Sequence, residues 1–454
     1  MPILSRKTPV ILLIGDVAAF VFALWATLAI RYLSVPDASL FYEHLYPFSY
    51  LFLIWIAVYF IAGLYERSAG LFRSAIPPIF LNVQLVNAAI AVGFFYFAPF
   101  SEIASDLTGT IAPKTNLFLY FAVSTLFILL WRAGIFRSIR IERRADAVLV
   151  GSGAEMRELE REVNANPHYH FTFSSSADLD ALTPDSFKRD FLSKISSESR
   201  PIVVIDLYNE KTRSVLPDLY NLLLSRARFM DMHQVYEGVF GRVALSLLSH
   251  GWFVENISAY PKRVYDVTKR LMDFGIALAL GLASLVLYPF VYIAIKLDDG
   301  GPVFIVQERV GKDNQVIRIP KFRSMRRSDK GAWVKENDDR ITRVGKLLRR
   351  SRIDELPQLF SVVKGDLSLV GPRPDIYDLG MKLSREIPYY TMRTIIKPGL
   401  SGWAQIRQEL PPQSLEETKT RLAYDFYYIK NRSLMLDLKI ALQTIATLAS
   451  RGGK

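Results

Sequence analysis

Apolar residues come in long blocks through the first third of the chain. Residues 9–32, 47–65, 79–100 and 116–136 are nearly continuous apolar runs, each close to the ~20 residues a helix needs to cross a bilayer. The pattern predicts a bundle of four transmembrane helices over 1–144. Because the first run lacks a small-residue cleavage site and three more follow, it reads as a span and not as a removable leader. Arg6 and Lys7 precede the first run, Arg67 and Arg73 fall in the second loop, and Arg137, Arg140, Arg143 and Arg144 follow the fourth, whereas the third loop holds only Lys114. That bias places both ends of the bundle on the cytoplasmic side. Asp16 is the main ionisable group near a span interior, marking either a substrate or proton path or a hydrogen bond between packed helices.

From Ala145 the pattern shortens. Ala147–Val150 reads as a buried strand, Gly151-Ser152-Gly153 as a turn and Ala154 to Asn164 as a helix, with further strands at Pro201–Asp206 and Arg228–Met232. This predicts a small Rossmann-like α/β domain over 145–255. Its nucleotide signal is incomplete. Met156 replaces the third glycine of GxGxxG, and Phe171-Thr172-Phe173 with three serines occupies the place of a ribose-binding acid. A regulatory or dimerising module fits better than a dinucleotide site.

A fifth apolar run, Phe274–Ile295, is entered through Lys262, Arg263, Lys269 and Arg270 and left through Lys296. Crossing would translocate one of these basic clusters, and Pro289 removes a helix hydrogen bond and bends the axis. The expectation is a re-entrant helix over 266–296 that enters and leaves on the cytoplasmic face, at the head of a third domain, 256–454. Behind it come a basic amphipathic helix, Thr342–Arg350, a helix from Glu355 to Lys364 stopped by Gly365, and a helical tail from Glu416 to Leu448. Tyr424, Phe426, Tyr427 and Tyr428 lie near Lys430 and Arg432 in that tail, a mixture suited to a lipid interface. The expected fold is therefore a multidomain membrane protein: a four-helix transmembrane bundle, a small Rossmann-like α/β domain and an α-rich catalytic domain with a re-entrant membrane helix.

Composition narrows the chemistry. The 454 residues include no cysteine, which excludes disulfides, thiolate metal sites and a thiol nucleophile. The net charge is +12, and the residues from Lys262 onward carry the whole excess. Anionic partners follow, either lipid headgroups or phosphates; nucleic acid is disfavoured because no zinc finger, RNP-type run or helix-turn-helix pattern accompanies the charge. His44, His168, His170, His233 and His250 all precede residue 256, so the last domain as bounded here has neither a Ser-His-Asp arrangement nor a His-ligated metal.

Carboxylates, guanidinium groups and ammonium groups remain, the tools of phosphoryl transfer with Mg²⁺. Asp354-Glu355 stands between the basic stretch Lys346–Arg352 and Gly371-Pro372-Arg373-Pro374. An arbitrary pair of this kind is ordinarily a helix N-cap with an exposed acid behind it. Here the Asp would lie at the positive end of a helix dipole, where it can face a phosphate. In such a scheme Asp354 attacks phosphorus, Glu355 holds Mg²⁺, Arg373 grips a phosphate bidentately, and Lys321 and Arg323 neutralise the remaining charge. The plainer alternatives are that Lys321 and Arg323 are surface cations and that Arg373 pairs with Asp366 or Asp375.

Lys321-Phe322-Arg323-Ser324-Met325, Asp354-Glu355, Gly371-Pro372-Arg373-Pro374 and Lys397-Pro398-Gly399-Leu400-Ser401-Gly402-Trp403-Ala404-Gln405 follow one another in an order that resembles the bacterial sugar transferases. These are the monotopic phosphoglycosyl transferases, or polyprenyl-phosphate hexose-1-phosphate transferases. The resemblance covers Lys262 to about Leu448, and the preceding helices and Rossmann-like domain look like the large subclass. It implies a ping-pong reaction on the cytoplasmic face of the bacterial inner membrane. Asp354 attacks the β-phosphorus of a UDP-sugar, UMP leaves, and undecaprenyl phosphate takes the phosphosugar to start a glycan such as an exopolysaccharide or O-antigen. It further implies Glu355 as the Mg²⁺ ligand, Lys321, Arg323, Arg352, Arg373 and Gln405 on the substrate phosphates, Pro289 as the re-entrant break, and a homodimer. Ile406-Arg407-Gln408 departs from the family's usual Val-Asn-Gly. Two other classes compete. One is a membrane-anchored NAD-dependent nucleotide-sugar dehydratase or oxidoreductase, for which Tyr265 and Lys269 offer a Tyr-x-x-x-Lys pair. The other is a non-catalytic polysaccharide-assembly scaffold, against which the intact Asp354, Glu355, Lys321 and Arg373 count.

Overall fold

A computed structural model describes residues 8–62, 64–65, 76–97, 113–138, 145–166, 169, 171–181, 187, 202–221, 227–257, 263–326, 340–408 and 411–451. Arg6, Lys7, Arg67, Arg73, Arg140, Arg143 and Arg144, on which the expected orientation rests, lie outside the described residues, as do His168 and His170 and the side chains of Lys114 and Arg137. The chain divides into two compact units, Met1–Val235 and Tyr236–Lys454.

In the first unit the four apolar runs become helices α1 (Thr8–Tyr32), α2 (Ala38–Ile61), α3 (Ile76–Phe97) and α4 (Pro113–Ser138). The second starts ahead of its apolar run because Asp37 caps it, accepting from the Leu40 amide at 2.8 Å. Phe20, Trp55, Tyr59 and Tyr120 are almost wholly buried where the helices meet. Asp16 accepts hydrogen bonds from Arg132 Nη2 at 2.5 Å and from the Tyr65 hydroxyl at 2.7 Å, so it ties α1 to α4, as the packing alternative expects. Among the described residues of this unit, only Ile11–Tyr32 is long and apolar enough to cross a membrane by itself; Val83–Phe95 and Leu117–Arg132 are shorter apolar segments.

The same unit holds a four-stranded parallel sheet in the order β2-β1-β3-β4. Its elements are β1 (Ala145–Gly151), α5 (Gly153–Ala165), β2 (Phe171–Asp178), β3 (Ile202–Ile205), α6 (Thr212–Asn221) and β4 (Arg228–Asp231), followed by α7 (Met232–Phe240). The carboxyl edge beside the glycine turn is filled. A Cβ on Gly151 would lie 3.0 Å from the Met232 sulfur and 3.7 Å from that of Met156. Asp206 is equally occupied there, accepting from the amides of Tyr208 and Asn209 and meeting His233 Nε2 at 3.0 Å.

The second unit begins ahead of the boundary expected at 255. Helix α8 (His250–Asn256) packs Trp252 and Phe253 against Phe426, and the Val243 amide donates to the Ala423 carbonyl at 3.2 Å. His250 therefore belongs to this unit, with its ring edge-on to Tyr389. Helix α9 (Arg263–Ser284), a 3₁₀ turn at Leu285–Leu287 and α10 (Tyr288–Asp298) form one helical run. Arg263–Asp298 is the second segment long and apolar enough to cross a membrane. Pro289 stands in the first turn of α10, where a missing N–H is tolerated, and the ladder tightens just ahead of it.

An antiparallel hairpin that the apolar pattern does not predict follows, β5 (Phe304–Val310) with β6 (Val316–Phe322). Next come α11 (Arg343–Arg350), α12 (Gln358–Lys364), β7 (Ser368–Val370), α13 (Tyr377–Glu386), β8 (Gly399–Ser401) and α14 (Trp403–Arg407). The expected helical tail divides into α15 (Leu415–Asn431) and α16 (Leu434–Arg451). Leu359 and Val362 of α12 pack with Ala277 of α9 and Ile319 of β6, which fixes the acids preceding α12 between α9 and the hairpin.

Candidate active site

Asp354 and Glu355 sit on a single 3₁₀ turn, Ile353–Glu355, entered through Arg352 in the left-handed region at φ 58°. That backbone reversal separates the acids from α11, and α12 begins only after Pro357. Asp354 is therefore not the N-cap that the sequence suggests. Its side chain turns inward, is 7% exposed, and leaves Oδ1 buried without a hydrogen-bond partner. Glu355 is held instead. Its Oε1 accepts from Arg373 Nη2 at 3.0 Å and Arg352 Nη1 at 3.2 Å.

The two acids consequently differ in charge state. Burial, with the Glu355 charge beside it, pushes the Asp354 carboxyl up to about 6 despite the attraction of Lys321, Arg352 and Arg349. Burial would also raise Glu355, but Arg373, Lys321 and Arg352 outweigh it and bring the carboxyl down to about 2. Lys321, near the end of β6, is pushed down to about 7 by burial and by Arg309 and Arg373, which exceed the pull of the two acids. At neutral pH an ionised Glu355 thus lies next to a carboxyl that burial holds near 6, with the Lys321 ammonium near 7.

Arg373 is positioned by main-chain packing. The Gly371 amide donates to the Ser401 carbonyl at 2.8 Å and the Gly399 amide to the Pro372 carbonyl at 3.0 Å. A Cβ on Gly399 would come within 2.1 Å of the Gly371 nitrogen, so the approach requires glycine. Arg309 Nη1 donates to the Pro374 carbonyl at 3.0 Å and Arg393 Nη2 to the Arg373 carbonyl at 2.9 Å. Arg393 is itself buried between Asp375 and Asp425, and Asp375 also accepts from Arg421 Nη2 and the Tyr390 hydroxyl, both at 2.7 Å. The alternative partners of Arg373 are thus taken, Asp375 by this cluster and Asp366 by Lys364 at 2.8 Å.

Of the expected phosphate-binding cations, Lys321, Arg352 and Arg373 converge on the acids. Arg323 does not: its Nη2 pairs with Asp299 at 2.8 Å and its Nε donates to the Met325 carbonyl. Gln405 lies on α14, whose N-terminal Gly402 would bring a Cβ to 2.5 Å from the Gly371 carbonyl oxygen, so Gln405 belongs to the brace behind Arg373. Its Oε1 is buried and unpartnered. Tyr265 and Lys269 both donate to Asp437, at 2.8 and 3.0 Å, which binds that pair into the second unit. Sequence reasoning missed Arg309, Arg349, Arg393 and Gln358. Gln358 follows Asp354 by one helical turn and has a buried, unpartnered Nε2; the i, i+4 spacing was the available signal. Among the described residues no three metal-ligating side chains cluster. Glu355, whose Oε2 takes neither guanidinium contact, suits a hard cation such as Mg²⁺, which completes its shell with substrate phosphates and water.

The family model for bacterial sugar transferases matches residues 264–451. An exopolysaccharide production protein PSS of Rhizobium leguminosarum bv. phaseoli is 40% identical over 197 residues, which cover 41% of this chain and 97% of that protein. The chain belongs to the bacterial sugar transferase family. Other members extend the likeness. The UDP-N-acetylgalactosamine-undecaprenyl-phosphate N-acetylgalactosaminephosphotransferase of Aeromonas hydrophila is 42% identical over 224 residues, 48% of this chain and 52% of the relative. The undecaprenyl-phosphate glucose phosphotransferase of Komagataeibacter xylinus is 31% identical over 321 residues, 65% of this chain and 58% of the relative. The chain thus spans between half and three fifths of the length of those two sugar transferases.

Proposed function

We propose that this sugar transferase moves a sugar-1-phosphate from a UDP-sugar to undecaprenyl phosphate by way of a phosphosugar on Asp354. The observation that carries this reading is the contrast at the 3₁₀ turn, where Glu355 is ionised and clamped by two guanidinium groups while the buried Oδ1 of Asp354 accepts no hydrogen bond from the described residues. In the first half-reaction Asp354 Oδ1 bonds to the β-phosphorus, the bond from that phosphorus to the bridging oxygen breaks, and UMP leaves. In the second, a phosphate oxygen of the lipid attacks the same phosphorus and Asp354 is released as carboxylate, so the enzyme returns unchanged.

Arg373 and Lys321 neutralise charge that develops on the transferred group, in a site where fixed donors are worth more than water. Mg²⁺, when bound, supplies charge neutralisation on the diphosphate; Glu355 would hold it through Oε2, since both guanidinium contacts are made to Oε1. The apolar helices embed in the inner membrane, with α1–α4 as a spanning bundle and the run from α9 to α10 as a re-entrant anchor around Pro289. The catalytic unit then faces the cytoplasm, where its basic surface meets both substrates. The names of the Aeromonas hydrophila and Komagataeibacter xylinus relatives support undecaprenyl phosphate as acceptor. The decisive experiment supplies purified protein with Mg²⁺, undecaprenyl phosphate and a panel of UDP-sugars and measures UMP. Release with at least one sugar is expected, and none from any sugar would overturn the reading.

A further inference from the structure

A cavity of about 360 Å³ lies between the first turns of α9, the Leu367–Ser368 segment and Ile395–Lys397. Its walls contain none of the groups that face Asp354. Five cations line it, against two acids, Asp266 and Asp273. Two of the cations are paired: Lys269 with Asp437 at 3.0 Å and Asp273 at 3.8 Å, and Arg432 with Asp266 at 3.9 Å. The other three are differently placed. Arg270 gives its guanidinium to the carbonyls of Val362 and Val363, at 2.6 and 2.7 Å, neutral acceptors that leave its charge uncancelled. Among the described residues Lys312 pairs with its exposed neighbour Asp313, at 3.8 Å. Lys397 is lowered by burial and then by the repulsion of Arg270 and Lys312, which Asp273 and Asp366 only partly offset. Arg270 Nη2 and Lys397 Nζ converge over the left-handed Gly365, 3.2 and 3.5 Å from where a Cβ would stand.

The position of the cavity relative to lipid follows from α9. Tyr265, Asp266, Lys269, Arg270 and Asp273 face the cavity. Val264, Val267 and Leu271, on the opposite side of the same turns, are 83%, 61% and 68% exposed. A helix is about 10 Å across, so a cavity lined by five cations and two acids lies one helix diameter from a bare apolar face that continues into the membrane segment. Headgroup phosphates occupy that depth.

We propose that this cavity is a second phosphate-binding site, set at headgroup level, which takes the phosphate of an anionic lipid or of a soluble phosphate compound. The site is independent of the transfer reaction and stands whether or not Asp354 is the nucleophile. The test places full-length protein in nanodiscs of phosphatidylcholine, with or without phosphatidylglycerol, and measures trace acetylation of Lys397 by mass spectrometry, normalised to exposed Lys382. Phosphatidylglycerol should slow Lys397 labelling about five-fold or more, a factor beyond general surface potential because Lys382 is the internal reference. Equal protection by inorganic phosphate in phosphatidylcholine discs supports the site with a soluble occupant. Lys312→Gln, on an exposed turn, should reduce either protection to less than about two-fold. Labelling of Lys397 at one rate under all three conditions, or protection that survives Lys312→Gln undiminished, overturns the proposal.

Discussion

Asp375 and Asp354 belong to two clusters of the same residue types, joined through Arg373, yet the clusters are built oppositely. Around Asp375 the carboxylates are consumed, since Arg393, Arg421 and Tyr390 converge on Asp375 and Arg393 also reaches Asp425. Around Asp354 the cations go to its neighbour, and its own oxygen is left open. The first arrangement holds a loop still; the second leaves bonding capacity for a substrate. Charge alone does not separate support from chemistry here. What separates these two carboxylates is how far the protein's own donors use them, fully at Asp375 and not at Asp354 Oδ1.

The sharpest way to break the comparison is Asp354→Asn. UMP release should fall by about 10³-fold or more, with no sugar-phosphate adduct on the protein. Stability should move the other way. A carboxyl whose folded pKa lies above its unfolded value binds its proton more tightly in the folded state, so the contribution of Asp354 to folding stability is fully present below about pH 4 and is lost as pH rises through about 6. Asn removes that cost, and urea denaturation at neutral pH should show a gain on the order of 1 kcal/mol; a clear loss would mean that Asp354 is a structural acid like Asp375. Arg393→Met tests the other cluster, because it takes the guanidinium from buried Asp425 while Asp375 keeps Arg421 and Tyr390. Urea denaturation should show a loss of about 3–5 kcal/mol, and a loss below about 1 kcal/mol would erase the distinction.

Glu355→Gln should act between these extremes, lowering UMP release about 10²-fold and raising the Mg²⁺ concentration needed for half-maximal rate. A metal titration of the variant decides it, and an unchanged metal requirement would place the cation elsewhere. The smallest effect concerns pH. UMP release should decline on the acid side as Asp354 protonates near pH 6. Since the Lys321 charge lowers that carboxyl, Lys321→Met should move the residual acid limb upward by less than about one pH unit, measurable in a pH–rate profile.

Much of this architecture was legible where a local rule governs it. Thr342 caps α11 through the Gly345 amide at 2.9 Å, Gly365 ends α12 at φ 101°, and the apolar blocks mark α1–α4. The hairpin was hidden because its exposed strand positions include Phe304 and Val306, which blurs the alternation a strand normally shows. Likewise β2 carries a run of serines in a half-buried strand, where burial of Phe171, Phe173 and Ala177 overrides propensity. In the site, Lys321 and Arg323 share one motif, but β6 ends at Phe322 and the chain turns Arg323 toward Asp299. The Asp375–Arg393–Asp425 cluster joins positions far apart in the chain, and no local pattern announces such a pairing.

That cluster also orders events in time. Synthesis delivers Asp354 and Glu355 first, then Arg373, then Arg393, and Asp425 last. Until α15 has left the ribosome, Arg393, which holds the Arg373 carbonyl from behind, lacks one of its two carboxylates. At about 5–20 residues per second that interval lasts roughly 2–6 seconds. A nascent chain already anchored in lipid would pass through it with both acids made but the clamp on Glu355 unsecured, so reactivity would arrive only as the final helices dock.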